Sequence, residues 1–84
     1  MKVYIDYSAL LGKIVEVFGT QYNFALAIGL SERTVSLKLN NHIPWKSTEI
    51  ISALDILGIP SNEVEKYFFK QKVQTSELSE PQTA

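Results

Sequence analysis

The sequence predicts an all-α domain, compact and built from five short helices. Three observations carry this. Apolar residues recur at three- and four-residue spacing in separate stretches: Leu10, Ile14 and Val17; Phe24, Ala25 and Ile28; Val35 and Leu39; Ile50, Ala53, Leu54 and Leu57. Each stretch is closed by a helix terminator, Gly19, Gly29, Pro44 or Gly58. With 84 residues, 45% of them apolar, the chain suits a single small core and is too apolar to be a disordered polymer.

The first residues, Lys2-Val3-Tyr4-Ile5, are β-branched and aromatic, and read either as a short strand or as an ordered arm. A strand there would pair with Lys70–Gln74, joining the two ends of the chain. Asp6 or Ser8 opens helix 1, which runs to about Phe18 with Leu11 and Phe18 beside the buried face and Lys13 and Glu16 in water. Gly12 inside it costs about 1 kcal/mol against Ala; it marks either a close approach or an exposed, tolerant position. Thr20 caps helix 2, and Gly29-Leu30-Ser31 forms a tight turn, in which Gly takes a left-handed conformation, Leu30 plugs the turn and Ser31 caps helix 3. Asn40–Pro44 is a polar loop, and Ser47 or Thr48 starts helix 4. Ile59-Pro60-Ser61-Asn62-Glu63-Val64 has an early Pro, an acid near the positive end of the helix and an Ile59–Val64 staple, so helix 5 spans about 61–68. Residues 1–72 thus form the domain, and 73–84, polar with one large apolar residue, form a flexible tail.

Helices 2 and 3 have the pattern of a helix-turn-helix, whose second helix can enter a DNA major groove. Ala25 is small where the second helix crosses the first. Gln21, Ala25, Gly29, Ser31, Val35 and Leu39 resemble the Q-x-x-x-A-x-x-x-G-x-S-x-x-x-(V/I) core of the Cro and phage-repressor class, a lambda-repressor-like fold. The longer run FGTQYNFALAIGLSERTVSLKLNNHIPWKSTEI, followed by LGIP, resembles small phage-encoded regulators of Gram-positive hosts, and the resemblance covers roughly 7–69. It departs at Lys38-Leu39-Asn40-Asn41-His42, where many relatives carry an aromatic or acidic residue and a Gly-containing loop.

Composition removes several function classes. There is no cysteine, hence no disulfide or thiolate chemistry. His42 is the sole histidine and has no ligand-spaced companions, so neither a metal nor another cofactor is expected. No nucleophile has an evident base partner, so an enzyme is not expected. The start of the chain does not read as a signal peptide, and no run approaches the roughly 20 apolar residues of a membrane span. A cytoplasmic site in a bacterial host is therefore expected.

Net charge is −1, but the distribution is uneven. Residues 1–48 hold five cations and three acids, residues 49–84 three cations and six acids. The helix-turn-helix lies in the positive half, and so weak a field implies modest non-specific DNA affinity and a need for two subunits.

With Val35 and Leu39 inward, Glu32, Arg33, Ser36 and Leu37 are the candidates for DNA base contacts. Arg33 matches guanine, Glu32 a cytosine amino group, Leu37 a thymine methyl, and Ser36 lets the helix sit deep. Thr34, Lys38, Asn40, Asn41 and Lys46 are candidates for phosphate, Lys38 and Lys46 because they add charge. The resemblance adds Gln21 at the start of helix 2. Asn40 and Asn41 also suit a helix end and turn on local grounds alone. Trp45 either caps the core or lies in a dimer interface; Tyr67, Phe68 and Phe69 cannot all face one core, which points to a homodimer interface there. The leading expectation is a Cro-like repressor that occludes a promoter by binding double-stranded operator DNA as a homodimer, with no small-molecule ligand. The alternative is a protein-interaction module, antitoxin- or anti-repressor-like, on the same fold, favoured by the slight negative charge.

Overall fold

The computed structural model describes residues 4–72; the expected tail at 73–84 lies outside them. Five α-helices follow in order: α1 (Ser8–Phe18), α2 (Gln21–Ile28), α3 (Glu32–Leu39), α4 (Ser47–Leu57) and α5 (Val64–Phe68), the last entered through a 3-10 turn at Ser61–Glu63. The all-α fold is as the sequence predicts.

The helix ends form for local reasons. Thr20 Oγ1 accepts the Asn23 amide at 3.1 Å, and Ser31 Oγ accepts the Thr34 amide at 3.1 Å, each satisfying a donor that a first turn leaves free. At the start of α1 the Asp6 carboxylate accepts from the Ser8 amide and hydroxyl. Those bonds hold its pKa below the ordinary value. Gly29 ends α2 at φ 82°, and Gly29 and Leu30 both donate to the Ala25 carbonyl, so the chain reverses within three residues.

The core is made where these helices meet. Leu10 and Ile14 of α1, Phe24 and Ala25 of α2, Val35 of α3, Ala53 and Leu57 of α4, Ile59, and Tyr67 and Phe68 of α5 are buried around Trp45. The Trp45 ring is edge-on to Tyr7, Phe24 and Phe68, with centroids 6.5, 6.5 and 5.4 Å away, a geometry favoured by ring quadrupoles. Its indole N–H is buried with no hydrogen-bond partner. Of the expected staple pair, Ile59 is buried and Val64 packs on the core.

Two expectations for side chains are corrected, and at Gly12 the second of two open readings holds. Val17 does not join the inner face of α1 but is 44% exposed; at this end of the helix Phe18 is the residue that packs on the core, against Phe24. Gly12 marks no close approach: a β-carbon there would meet nothing within 4 Å. Tyr67 and Phe68 close the protomer's own core, because the five-residue α5 packs against α1 and turns both rings inward; only Phe69 of that trio is exposed.

Residues 4–6 and 70–72 meet. Among the described residues Ile5 and Gln71 form an isolated antiparallel bridge, with Asp6 N–H donating to Lys70 O and Lys72 N–H to Tyr4 O; the rest of the expected pairing, at residues 2, 3, 73 and 74, lies outside them. The bridge brings the N-terminal segment beside the end of α3.

Candidate macromolecule-binding face

Helices α2 and α3 are joined by Gly29-Leu30-Ser31 and pack against each other. Their inner sides are anchored by Phe24, Ala25 and Val35. Outward, the first turn of α3 presents Glu32 and Arg33, both exposed and outside any ion pair of the described residues, while Ser36 and Leu37 are half-buried one turn further on. The four candidate base-contact residues therefore share the outer side of α3, with Glu32 and Arg33 foremost.

The phosphate candidates divide. Gln21 is half-buried at the start of α2, and Lys46 is exposed ahead of α4. Thr34 Oγ1 receives a hydrogen bond from the Ser31 hydroxyl, and Asn40 Nδ2 donates to Ser36 O, so both are partly engaged in closing α3. Asn41 is half-buried and engaged within the fold: its side-chain amide accepts from Ile5 N–H and donates to Ile5 O.

Lys38 is the clearest correction. It does not reach outward for phosphate, but is 2% exposed. Its Nζ donates to Glu49 Oε1 and to Pro44 O, both at 2.9 Å, and lies 5.7 Å from the centre of the Trp45 ring. The cause is the loop after α3. Pro44 redirects the chain so that Trp45 enters the core, and Glu49, in the first turn of α4, comes to rest over the last turn of α3. Glu49 Oε1 also accepts the Lys46 amide. Burial works to raise the Glu49 pKa, but the Lys46 amide and the Lys38 ammonium outweigh it and hold the carboxyl below its ordinary value. Trp45 itself belongs to the core, the first of the two readings left open by the sequence.

One feature of this face escaped the reading of the sequence. The α2 segment, QYNFALAI, carries no charge and is apolar on nearly every side, the composition of a helix covered all round. Yet Tyr22 is 54% and Leu26 63% exposed, one turn apart on its outer side. The signal was present as an apolar surplus: Phe24, Ala25 and Ile28 suffice for the inner face, and Tyr22 and Leu26 remain.

A shallow cleft of about 480 Å³ adjoins the face, between Tyr4–Ser8 on one side and Gln21, Leu39 and Asn40 on the other. Among the described residues no three His, Cys, Asp or Glu side chains converge as a metal site, and no helix is long and apolar enough to cross a membrane.

The fold and this face define a small all-α domain with two outward short helices held over one aromatic core. The chain belongs to the family described as "Protein of unknown function (DUF739)", which matches residues 3–71. It is similar to the modulator of repression (MOR) of the temperate bacteriophage TP901-1 from Lactococcus lactis, known from a solution structure. The two are 60% identical, the match covers 77% of this chain and 88% of that one, and the TM-score is 0.70. No curated protein matches the chain.

Proposed function

We propose that this protein regulates repression in a temperate-phage system, and that it does so by docking the outer side of α2 and the first turn of α3 on a protein of that machinery, in the cytoplasm of the bacterial host. The observation that carries the reading is the uncharged outer side of α2, where Tyr22 and Leu26 stand exposed. Aromatic and large apolar side chains of this kind anchor protein interfaces when a partner covers them. Electrostatics point the same way. With Lys38 neutralised by Glu49, Arg33 and Lys46 are the exposed cations left among the candidate contacts, against Glu32, on a chain of net charge −1. A DNA-binding surface ordinarily displays a basic stripe. The similarity to a protein titled a modulator of repression supports the regulatory role.

A second reading keeps the operator as the target, favoured by one observation: Arg33 stands exposed at the start of α3, where a recognition helix meets base edges. Two cations, Arg33 and Lys46, would give a salt slope of only about 2 for each subunit, so DNA binding would need a dimer or a companion protein. In either reading the protein is not an enzyme.

The deciding experiment is binding of the full chain to the purified repressor of the same phage system and, separately, to its operator DNA, each across a salt series. The docking reading expects a repressor complex that survives rising salt and is lost in Leu26→Glu. Salt-sensitive operator binding by the protein alone, lost in Arg33→Ala and kept in Leu26→Glu, would overturn it in favour of the second.

A further inference from the structure

Asn41 combines two properties found together at no other position of the described chain. It has φ 65°, the one non-glycine residue with positive φ among the described residues. Its side-chain amide also forms a two-way contact 36 residues away in sequence: Ile5 N–H donates to Oδ1 at 2.8 Å, and Nδ2 donates to Ile5 O at 2.9 Å.

The first property belongs to the end of α3. Asn41 N–H donates to Lys38 O and His42 N–H to Leu37 O, the pair of bonds that closes a helix through a left-handed residue. Glycine meets that requirement without strain, and Asn tolerates it. The second property needs one donor and one acceptor on a short planar group, which Asn supplies and Gly does not. Backbone and side chain thus ask for Asn together.

The Ile5 backbone is held from two sides. One side faces the Asn41 amide. On the other, the neighbouring Asp6 N–H and Tyr4 O pair with Lys70 O and Lys72 N–H at 2.7 and 2.8 Å. The Asn41 side chain therefore stands where a further strand would stand, and the segment 4–6 bridges the end of α3 to residues 70–72.

We propose that Asn41 is a latch that couples the paired segments 4–6 and 70–72 to the C-terminal end of α3, so that loosening either one loosens the other. The coupling is independent of which macromolecule the α2–α3 face meets. A partner that grips the paired segments would thereby reach α3, and the reverse holds by linkage.

Amide hydrogen exchange by NMR on the full chain tests this. Asn41→Gly keeps the left-handed turn and deletes the latch. In this variant Ile5 N–H should exchange roughly tenfold faster or more, with Asp6 and Lys72 rising alongside while Leu10 and Ile14 in α1 keep their rates. Asn41→Asp, which keeps the acceptor and loses the donor, should fall between. In the reverse direction, Lys72→Pro removes the N–H that pairs with Tyr4 O and should speed exchange at His42 and Ile43. An unchanged Ile5 rate in Asn41→Gly, an equal rise at every helix, or a Lys72→Pro variant with His42 and Ile43 at their original rates would each overturn the proposal.

Discussion

Lys38 Nζ lies 2.9 Å from Glu49 Oε1 in the seam between α3 and α4, with their side chains 3% and 14% exposed. The ion pair joins the helix that carries Arg33 to the helix behind it, and its two members are unequal. Lys38 is enclosed by Pro44 O and the Trp45 ring, whereas Glu49 keeps some contact with water.

That inequality predicts asymmetric mutants. Glu49→Leu strands a buried ammonium and should cost about 3–5 kcal/mol, whereas Lys38→Met leaves a carboxylate that still accepts the Lys46 amide and should cost less. The double variant should recover most of the loss, because well-packed apolar side chains replace a buried pair at little cost. Urea unfolding of the three variants checks this; a double variant as unstable as the sum of the singles would count against it.

The same pair sets a pH dependence. The folded pKa of Glu49 is depressed, so the unfolded chain takes up its proton first as pH falls. The stability Glu49 contributes is therefore complete above the ordinary glutamate range, near pH 4.3, and drains away as pH drops through the lower folded value. Lys38→Met/Glu49→Leu should lose less stability than the natural chain over that acid interval, read from urea midpoints at successive pH values.

Burial of Lys38 also separates two lysines that the sequence presents as equals. Should operator binding occur, Lys46→Ala should lower the salt slope by about 1, while Lys38→Met leaves the slope unchanged. A slope that falls with Lys38→Met would mean that this ammonium leaves Glu49 for a phosphate.

Two glycines should respond in opposite directions to alanine. Gly12 is exposed within α1 with nothing near its missing β-carbon, so Gly12→Ala should stabilise by about 0.5–1 kcal/mol. Gly29 sits at φ 82° and should lose about 1–2 kcal/mol as alanine, from backbone strain alone. Thermal melts monitored by circular dichroism report both.

Leu26→Glu is expected to leave stability within about 0.5 kcal/mol of the natural chain, since the side chain is 63% exposed. Unfolding curves that coincide, together with loss of repressor binding, would assign Leu26 to the interface rather than to the fold.

Much of the architecture was legible because its causes are local. Thr20 and Ser31 cap, Gly29 and Gly58 stop, and three- to four-residue spacing selects Leu10, Ile14, Phe24, Ala25, Val35, Ala53 and Leu57 for the inside; each signal acts within a turn or two of chain. The site was legible in outline only. Glu32 and Arg33 were found because an exposed first turn follows from the position of Val35.

By itself, then, the sequence determined five helices, most of their ends (α5 starts only at Val64, after a 3-10 turn), most of the residues they bury and the turn that sets α3 against α2. Tertiary structure alone decided what the polar and surplus apolar residues do: Lys38 turned inward to Glu49, Asn41 bound to Ile5, Tyr67 and Phe68 taken into the core, Tyr22 and Leu26 left outside. The physical reason is that a cap or a stop is satisfied by neighbours in the chain. The partner of a long polar side chain, and the covering of an apolar one, depend on which distant segment arrives beside it.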